Sequence, residues 1–345
     1  MSIEFREMMP NEANIVNKVG HSSFGIVEAL FMPKPKHAVL AVENEEILGG
    51  IAYKILSGKA GRKIGFIETA FVAKNHVGKG MGNKLYQAAT KSLKDRGCDT
   101  VITMVRDDNI ASWKAFVNNG YNRVTFIQII GQLGLVGSLF FWFYGLSCIA
   151  VGHELWGTMP SKVQSSSSQI ALFIVVAILT FLPALRFGVT FNDFVVKAIG
   201  ILILLFSGVA GGAIAVKFSK QEWCFRLTPG GLLLSFCIAA LGGVFPMVGR
   251  YYPKKYSRST QFKRDMAMEG FCEWLAILLV FTLSLFQCNT SPIWAATQSF
   301  GTSILLYHSI PIFPFGSYGG TRMWNHNKTL SLAVLIISLV LMVSF

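Results

Sequence analysis

The chain has 345 residues, 52% of them hydrophobic and 14% charged, with a formal net charge of +13. The positive excess divides as about +5 over residues 1–125 and about +8 over the rest, which argues for membrane topology over nucleic-acid binding. Six cysteines without a CxxC pair leave no basis for a zinc ribbon or a disulfide framework, so no metal is expected.

In chain order, Ile3–Met8 reads as a strand and Pro10–Val19 as a helix opened by Pro-Asn-Glu. Phe24–Pro35 is less regular. His37–Val42 and Ile47–Leu56 form a predicted hairpin around the turn-prone Glu43-Asn44-Glu45-Glu46. Lys63–Val72 is rich in β-formers, and Leu85, Ala88, Ala89 and Leu93 then recur at helical spacing. Between them runs Val77-Gly78-Lys79-Gly80-Met81-Gly82-Asn83-Lys84-Leu85, with glycines at alternate positions against a helix N-terminus. The first amides of a helix have no intrahelical partner and its dipole favours anions, so this turn is built to receive a pyrophosphate. The spacing fits neither a P-loop nor a dinucleotide fingerprint. Thr100–Val105 is a further strand. Asn109-Ile-Ala-Ser-Trp-Lys-Ala-Phe116-Val-Asn-Asn-Gly120-Tyr121 follows as a helix and turn, and Tyr121–Thr125 as a last strand.

The glycine turn after the fourth strand, and Asn109 followed by a helical aromatic and Gly120-Tyr121, together resemble the GCN5-related N-acetyltransferase (GNAT) family over Ile3 to about Val124. The resemblance implies an α+β fold with a mixed, mostly antiparallel splayed sheet and flanking helices. It places acetyl-CoA in the splay, the pantetheine on the backbone of Phe71 and Val72, and the pyrophosphate in the amides of Val77, Gly78, Lys79, Gly80, Met81, Gly82 and Asn83. Lys79 or Lys84 adds charge, Asn109 and Phe116 complete the cofactor set, and Glu68 is the implied base. Two positions depart from the family pattern: Val77 replaces an Arg or Gln, and Phe116 replaces a Tyr that commonly protonates the leaving thiolate.

Beyond residue 125 the composition changes, which sets expected domains of 1–125 and 126–345. Phe126–Val151 lacks a charged side chain and is long enough to span a bilayer. Further apolar runs at about 170–185, 194–216, 230–249, 266–286, 293–313 and 330–345 give about six to seven expected spans of a polytopic α-helical membrane domain. With the N-terminal domain cytosolic, where acetyl-CoA is found, the loops 186–197, 250–264 and 322–328 would face the cytosol with ten Lys or Arg, against four in the opposite loops.

His308-Ser-Ile-Pro311-Ile-Phe-Pro314 through Trp324-Asn325 is weakly similar to site-2-protease-like (M50) membrane proteins. The zinc ligands such a protease needs are missing, since His153-Glu154 is followed by Gly157. Glu269, Glu273 and His308 are further candidates, because ionisable groups in apolar spans are costly to keep. The expected activity is transfer of acetyl from acetyl-CoA to an amine-bearing small molecule, peptide or lipid at the cytosolic face. An acetyl-CoA sensor regulating a degenerate protease-like membrane protein is the alternative.

Overall fold

The computed structural model describes residues 3–24, 29, 32–106, 109–144, 153–161, 166–179, 182, 190–228, 231–246, 249–255, 257, 259–312, 315 and 318–345. They fall into two compact units, one of residues 1–105, 109–144 and 154–162, the other of 106–108, 145–153 and 163–345.

The first unit is a seven-stranded sheet with helices. Its strands are β1 (Glu4–Glu7), β2 (His37–Glu43), β3 (Glu46–Ser57), β4 (Lys63–Val72), β5 (Thr100–Arg106), β6 (Asn122–Arg123) and β7 (His153–Gly157), ordered β1-β2-β3-β4-β5-β7-β6. The β2–β3 turn is the expected one: Asn44 and Glu45 both take positive φ, 50° and 66°, which matches a two-residue loop to the twist of the strands. The β1–β2, β2–β3, β3–β4 and β6–β7 pairs are antiparallel and β4–β5 is parallel. Helices α1 (Ala13–Ser23), α2 (Met81–Asp95), α3 (Ile110–Asn118) and α4 (Phe126–Tyr144) accompany the sheet. Val16 of α1 packs with Leu40, Ala52 and Phe71, while α2 buries Leu85, Ala89 and Leu93. Half of the irregular stretch 24–35 lies outside the described residues.

The sheet does not end at residue 125. Asn122 pairs with Gly157 and Arg123 with Trp156. Val124 N–H donates to the Leu155 carbonyl at 3.0 Å, and Thr158 N–H to the Val101 carbonyl at 2.9 Å. The closing strand therefore comes from 153–157, and the first domain runs past the expected boundary. His153-Glu154 is strand, not a metal-ligating helix, and Glu154 is paired with Arg123 at 3.1 Å. The expected first span is likewise different. Its described part is α4, broken at Gly134 (φ 74°, ψ 171°), and residues 145–151 lie outside the described residues.

The second unit contains α5 (Ser166–Leu179), α6 (Phe191–Lys217), β8 (Trp223–Leu227), α7 (Gly231–Ala240), β9 (Gly249–Pro253), α8 (Thr260–Gln287), α9 (Pro292–Ser309), α10 (Gly320–His326) and α11 (Lys328–Ser344). Side chains of Thr190, Ser259, Ser291 and Asn327 accept from first-turn amides and fix where α6, α8, α9 and α11 begin. Leu204, Ile277, Phe281, Ile304 and Leu305 form the core between α6, α8 and α9.

Among the described helices, two are long and apolar enough to cross a membrane, Phe191–Lys217 and Thr260–Gln287. They take up the expected runs 194–216 and 266–286. The run 230–249 is not a span. Strand β8 pairs antiparallel with β9, with Arg226 opposite Arg250, so both ends of the intervening segment stand at one level. A ten-residue α7 rises about 15 Å, half the ~30 Å hydrocarbon thickness.

Candidate functional site

The parallel β4–β5 ladder runs from Ile64 opposite Thr100 to Ile67 opposite Thr103 and stops there, although β4 continues to Val72 and β5 to Arg106. From Glu68 onward the strands have no ladder between them. A break in register on the other side of β4 coincides with this point: Ala52 faces Thr69 and Tyr53 faces Ile67, leaving Glu68 as the extra, bulged residue.

The glycine turn lies directly after β4. Gly78 and Gly80 adopt φ of 89° and 76°, a conformation open to glycine at little cost. Gly80 is the N-cap of α2 and offers no side-chain cap, so the amides of the first turn remain to be satisfied from outside the helix. A Cβ added at Gly82 would meet no atom within 4 Å. Nothing in the fold demands a glycine there, yet glycine costs a helix interior about 1 kcal/mol relative to alanine. Lys79 and Lys84 are exposed beside the turn, and Val77 is exposed, while Met81 is buried. The Asn119 amide ties α3 to this turn, donating to the Asn83 carbonyl at 3.2 Å and to Asn83 Oδ1 at 3.1 Å.

The remaining expected residues divide. The ring of Phe71 is buried and Val72 is half-buried; they face Gly50 and Gly49 of β3. Asn109 caps α3, its Oδ1 accepting from Ser112 N–H at 3.2 Å. The Glu68 side chain is only 5% exposed and ion-paired to Lys54 Nζ at 2.7 Å. Phe116 is fully buried, its ring centroid 4.9 Å from Tyr86, 5.6 Å from Tyr121 and 5.4 Å from Trp156. Tyr121 shares a 2.7 Å hydrogen bond with Thr90. Burial pushes both Tyr86 and Tyr121 well above the ordinary phenol range, so each keeps its proton at neutral pH.

Sequence reasoning missed Lys54, Tyr86 and Trp156. Lys54 was accessible in principle, since a hairpin places it near Phe66 and a bulge brings it to Glu68. Trp156 was hidden because its strand lies beyond the apolar excursion.

Residues 11–121 match the Acetyltransferase (GNAT) family. They form a GNAT acetyltransferase domain. Among solved structures, a putative GNAT acetyltransferase from Desulfovibrio desulfuricans is 16% identical with a TM-score of 0.32, over 45% of this chain and 96% of that one. A GNAT acetyltransferase from Brucella melitensis in complex with acetyl-CoA is 20% identical with a TM-score of 0.27, over 32% and 81%. The NatC complex bound to Gag peptide and CoA is 19% identical with a TM-score of 0.31, over 36% and 87%. No curated protein matches this sequence.

Outside the GNAT domain, the candidates Glu269, Glu273 and His308 converge with Arg250 and Arg322, which the sequence reading counted only among loop charges. Arg250 Nη2 donates to Glu269 Oε2 at 2.6 Å and to Glu273 Oε2 at 2.9 Å. Arg322 Nη1 donates to Glu269 and, at 3.0 Å, to the Tyr251 carbonyl. His308 Nδ1 is 3.7 Å from Glu273. All five side chains are buried. Thr228, Arg250, Glu273, His308 and Tyr318 border a cavity of about 30 Å³, room for one water but not for a metabolite. Among the described residues, no group of three or more His, Cys, Asp or Glu is arranged to hold a metal.

Proposed function

We propose that the protein is a membrane-anchored N-acetyltransferase that moves acetyl from acetyl-CoA to an amine at the cytosolic face. The observation that carries this reading is the parting of β4 from β5 after Ile67 and Thr103, next to a glycine turn with an uncapped helix N-terminus. The unladdered edge of Phe71 and Val72 supplies backbone groups for the amide-bearing pantetheine arm. The amides of residues 77–83 supply donors for the pyrophosphate, with Lys79 and Lys84 adding charge. The empty space over Gly82 is explained if a phosphate fills it.

In the reaction, the acceptor nitrogen attacks the thioester carbonyl, the N–C bond forms, the C–S bond breaks and CoA leaves as thiolate. The acceptor sheds one proton, and Glu68 is the carboxylate placed to receive it, directly or through water, with Lys54 holding it in position. Orientation in the splay supplies the rest.

Membrane anchoring rests on α6 and α8, with mean hydropathy of 2.4 and 1.7 in their most apolar windows. Residues 217–264, which link the two helices, carry nine Lys or Arg. The acetyltransferase domain faces the cytosol, where acetyl-CoA is found. The acceptor is an amine on a small molecule, peptide or lipid.

A second reading, an acetyl-CoA sensor that regulates a protease-like membrane unit without turnover, is favoured by the sealed ring of Phe116 and the paired state of Glu68. Calorimetry of acetyl-CoA against the full-length protein in detergent, followed by CoA release with mixed amine acceptors, separates the two. Binding with turnover supports the enzyme, binding without turnover the sensor, and no binding overturns both. Gly82→Ala sharpens the test. It is expected to keep or raise thermal stability while weakening acetyl-CoA, because the added methyl group has room in the protein and none beside a bound phosphate.

A further inference from the structure

The last two strands of the GNAT domain are separated by 29 residues, 124–152, without an Asp, Glu, Lys or Arg. Because Asn122 and Arg123 pair with Gly157 and Trp156, the chain must come back to the sheet it left. The described part, α4, is fastened to the domain along one face. Phe141 packs edge-on against Phe66 of β4 at 5.0 Å, and Gln128 donates to the Pro160 carbonyl at 2.8 Å. Ile129, Leu133 and Phe141 are buried. The other face carries Ile127, Leu135, Val136, Leu139 and Phe140, with Val136 81% and Phe140 74% exposed. The break at Gly134 divides α4 into segments of about eight and ten residues, each spanning about 12–15 Å and too short to cross a bilayer.

Beside this helix stands the β3–β4 turn. It exposes Lys59, Arg62 and Lys63, and Arg62 donates to Gln132 of α4 at 3.3 Å. An apolar helical face rimmed by cations is the arrangement that lies in a membrane interface, with apolar side chains among the acyl chains and ammonium and guanidinium groups among anionic headgroups.

We infer that α4, lying in the interface, and the Lys59–Lys63 turn seat the GNAT domain on an anionic bilayer. The ten residues of β4 separate this end from the glycine turn by about 30 Å. The pyrophosphate site therefore faces water, away from headgroup phosphates that would compete with CoA. The inference concerns how the domain is seated and holds whether or not acetyl transfer occurs.

The test uses full-length protein, with its native cysteines replaced, in vesicles containing phosphatidylglycerol. Asn122→Cys and Ser161→Cys flank the insertion, and Val136→Cys and Phe140→Cys lie on its exposed face. A membrane-impermeant maleimide is expected to label the two flanking positions from the same side and the two inner ones several-fold more slowly. A fluorophore at position 136 is expected to be quenched more by shallow than by deep nitroxide lipids. Reversing Lys59, Arg62 and Lys63 to Glu should weaken that quenching in anionic vesicles and leave it unchanged in zwitterionic ones. Labelling of 122 and 161 from opposite sides would show a true span and overturn the inference. Inner positions labelled as fast as the flanks would place α4 in water and overturn it too.

Discussion

The protein holds two polar constellations of opposite design. In the GNAT domain backbone groups are left open: β4 parts from β5, α2 starts on a glycine that caps nothing, and Gly82 faces empty space. In the second unit the charges close on one another. Arg250 and Arg322 face Glu269 and Glu273, and the space left beside them admits a water. Unsatisfied donors at a surface invite a ligand, whereas balanced buried charges hold helices and strands in register. The comparison shows why a cluster of ionisable residues is a weaker sign of a binding site than a row of amides with no partner.

The largest effect that can break this comparison lies in the closed cluster. Glu269→Gln removes the carboxylate between two buried guanidiniums, and loss of one partner of a buried pair costs about 3–5 kcal/mol. The variant is expected to unfold at markedly lower temperature in detergent while its GNAT domain still binds acetyl-CoA. An unchanged melting temperature would mean that the cluster is solvated and open. Next comes Gly80→Glu, which forces a side chain into φ of 76° and sets a carboxylate at the proposed pyrophosphate site. Acetyl-CoA binding measured by calorimetry should be abolished, and retained affinity would remove the glycine turn from the site.

A smaller effect is expected from Phe116→Tyr. A hydroxyl added to a ring enclosed by Tyr86, Tyr121 and Trp156 costs about 1–3 kcal/mol if no partner meets it, and turnover should not rise. A higher rate of CoA release would bring that ring to the thioester and reverse the assignment. The smallest effect is on alkaline stability. Burial raises the Tyr53 hydroxyl from 10.0 to about 12, so the folded state favours the protonated phenol. Its contribution is fully present below pH 10 and is lost as the pH rises from there toward about 12. Denaturant titrations across that interval should show falling stability, with the loss reduced in Tyr53→Phe.

The sequence made the GNAT domain legible because its signals are local. Gly78 and Gly80 make a turn, Asn109 caps the helix that follows it, and Asn44-Glu45 closes a hairpin, each through backbone preferences that act within a few residues. Glu68 was found by its strand position, but its ion pair with Lys54 was not, because a one-residue bulge shifts the neighbours across the hairpin. The C-terminal half was read least well for the same physical reason. Apolar composition specifies burial and says nothing of whether the buried segment crosses, turns back or packs inside protein.

Sequence alone thus determined where phosphate-binding amides can form, which stretches must leave water, and which residues are ionisable among them. Tertiary structure decided the rest. Strand pairing between residues far apart, Asn122 with Gly157 and Arg226 with Arg250, returns the chain to the sheet it left. The same long-range closure brings Arg250 and Arg322 to Glu269. Such pairings follow from which edges and charges remain unsatisfied once the local elements have formed, and that is a property of the assembled chain.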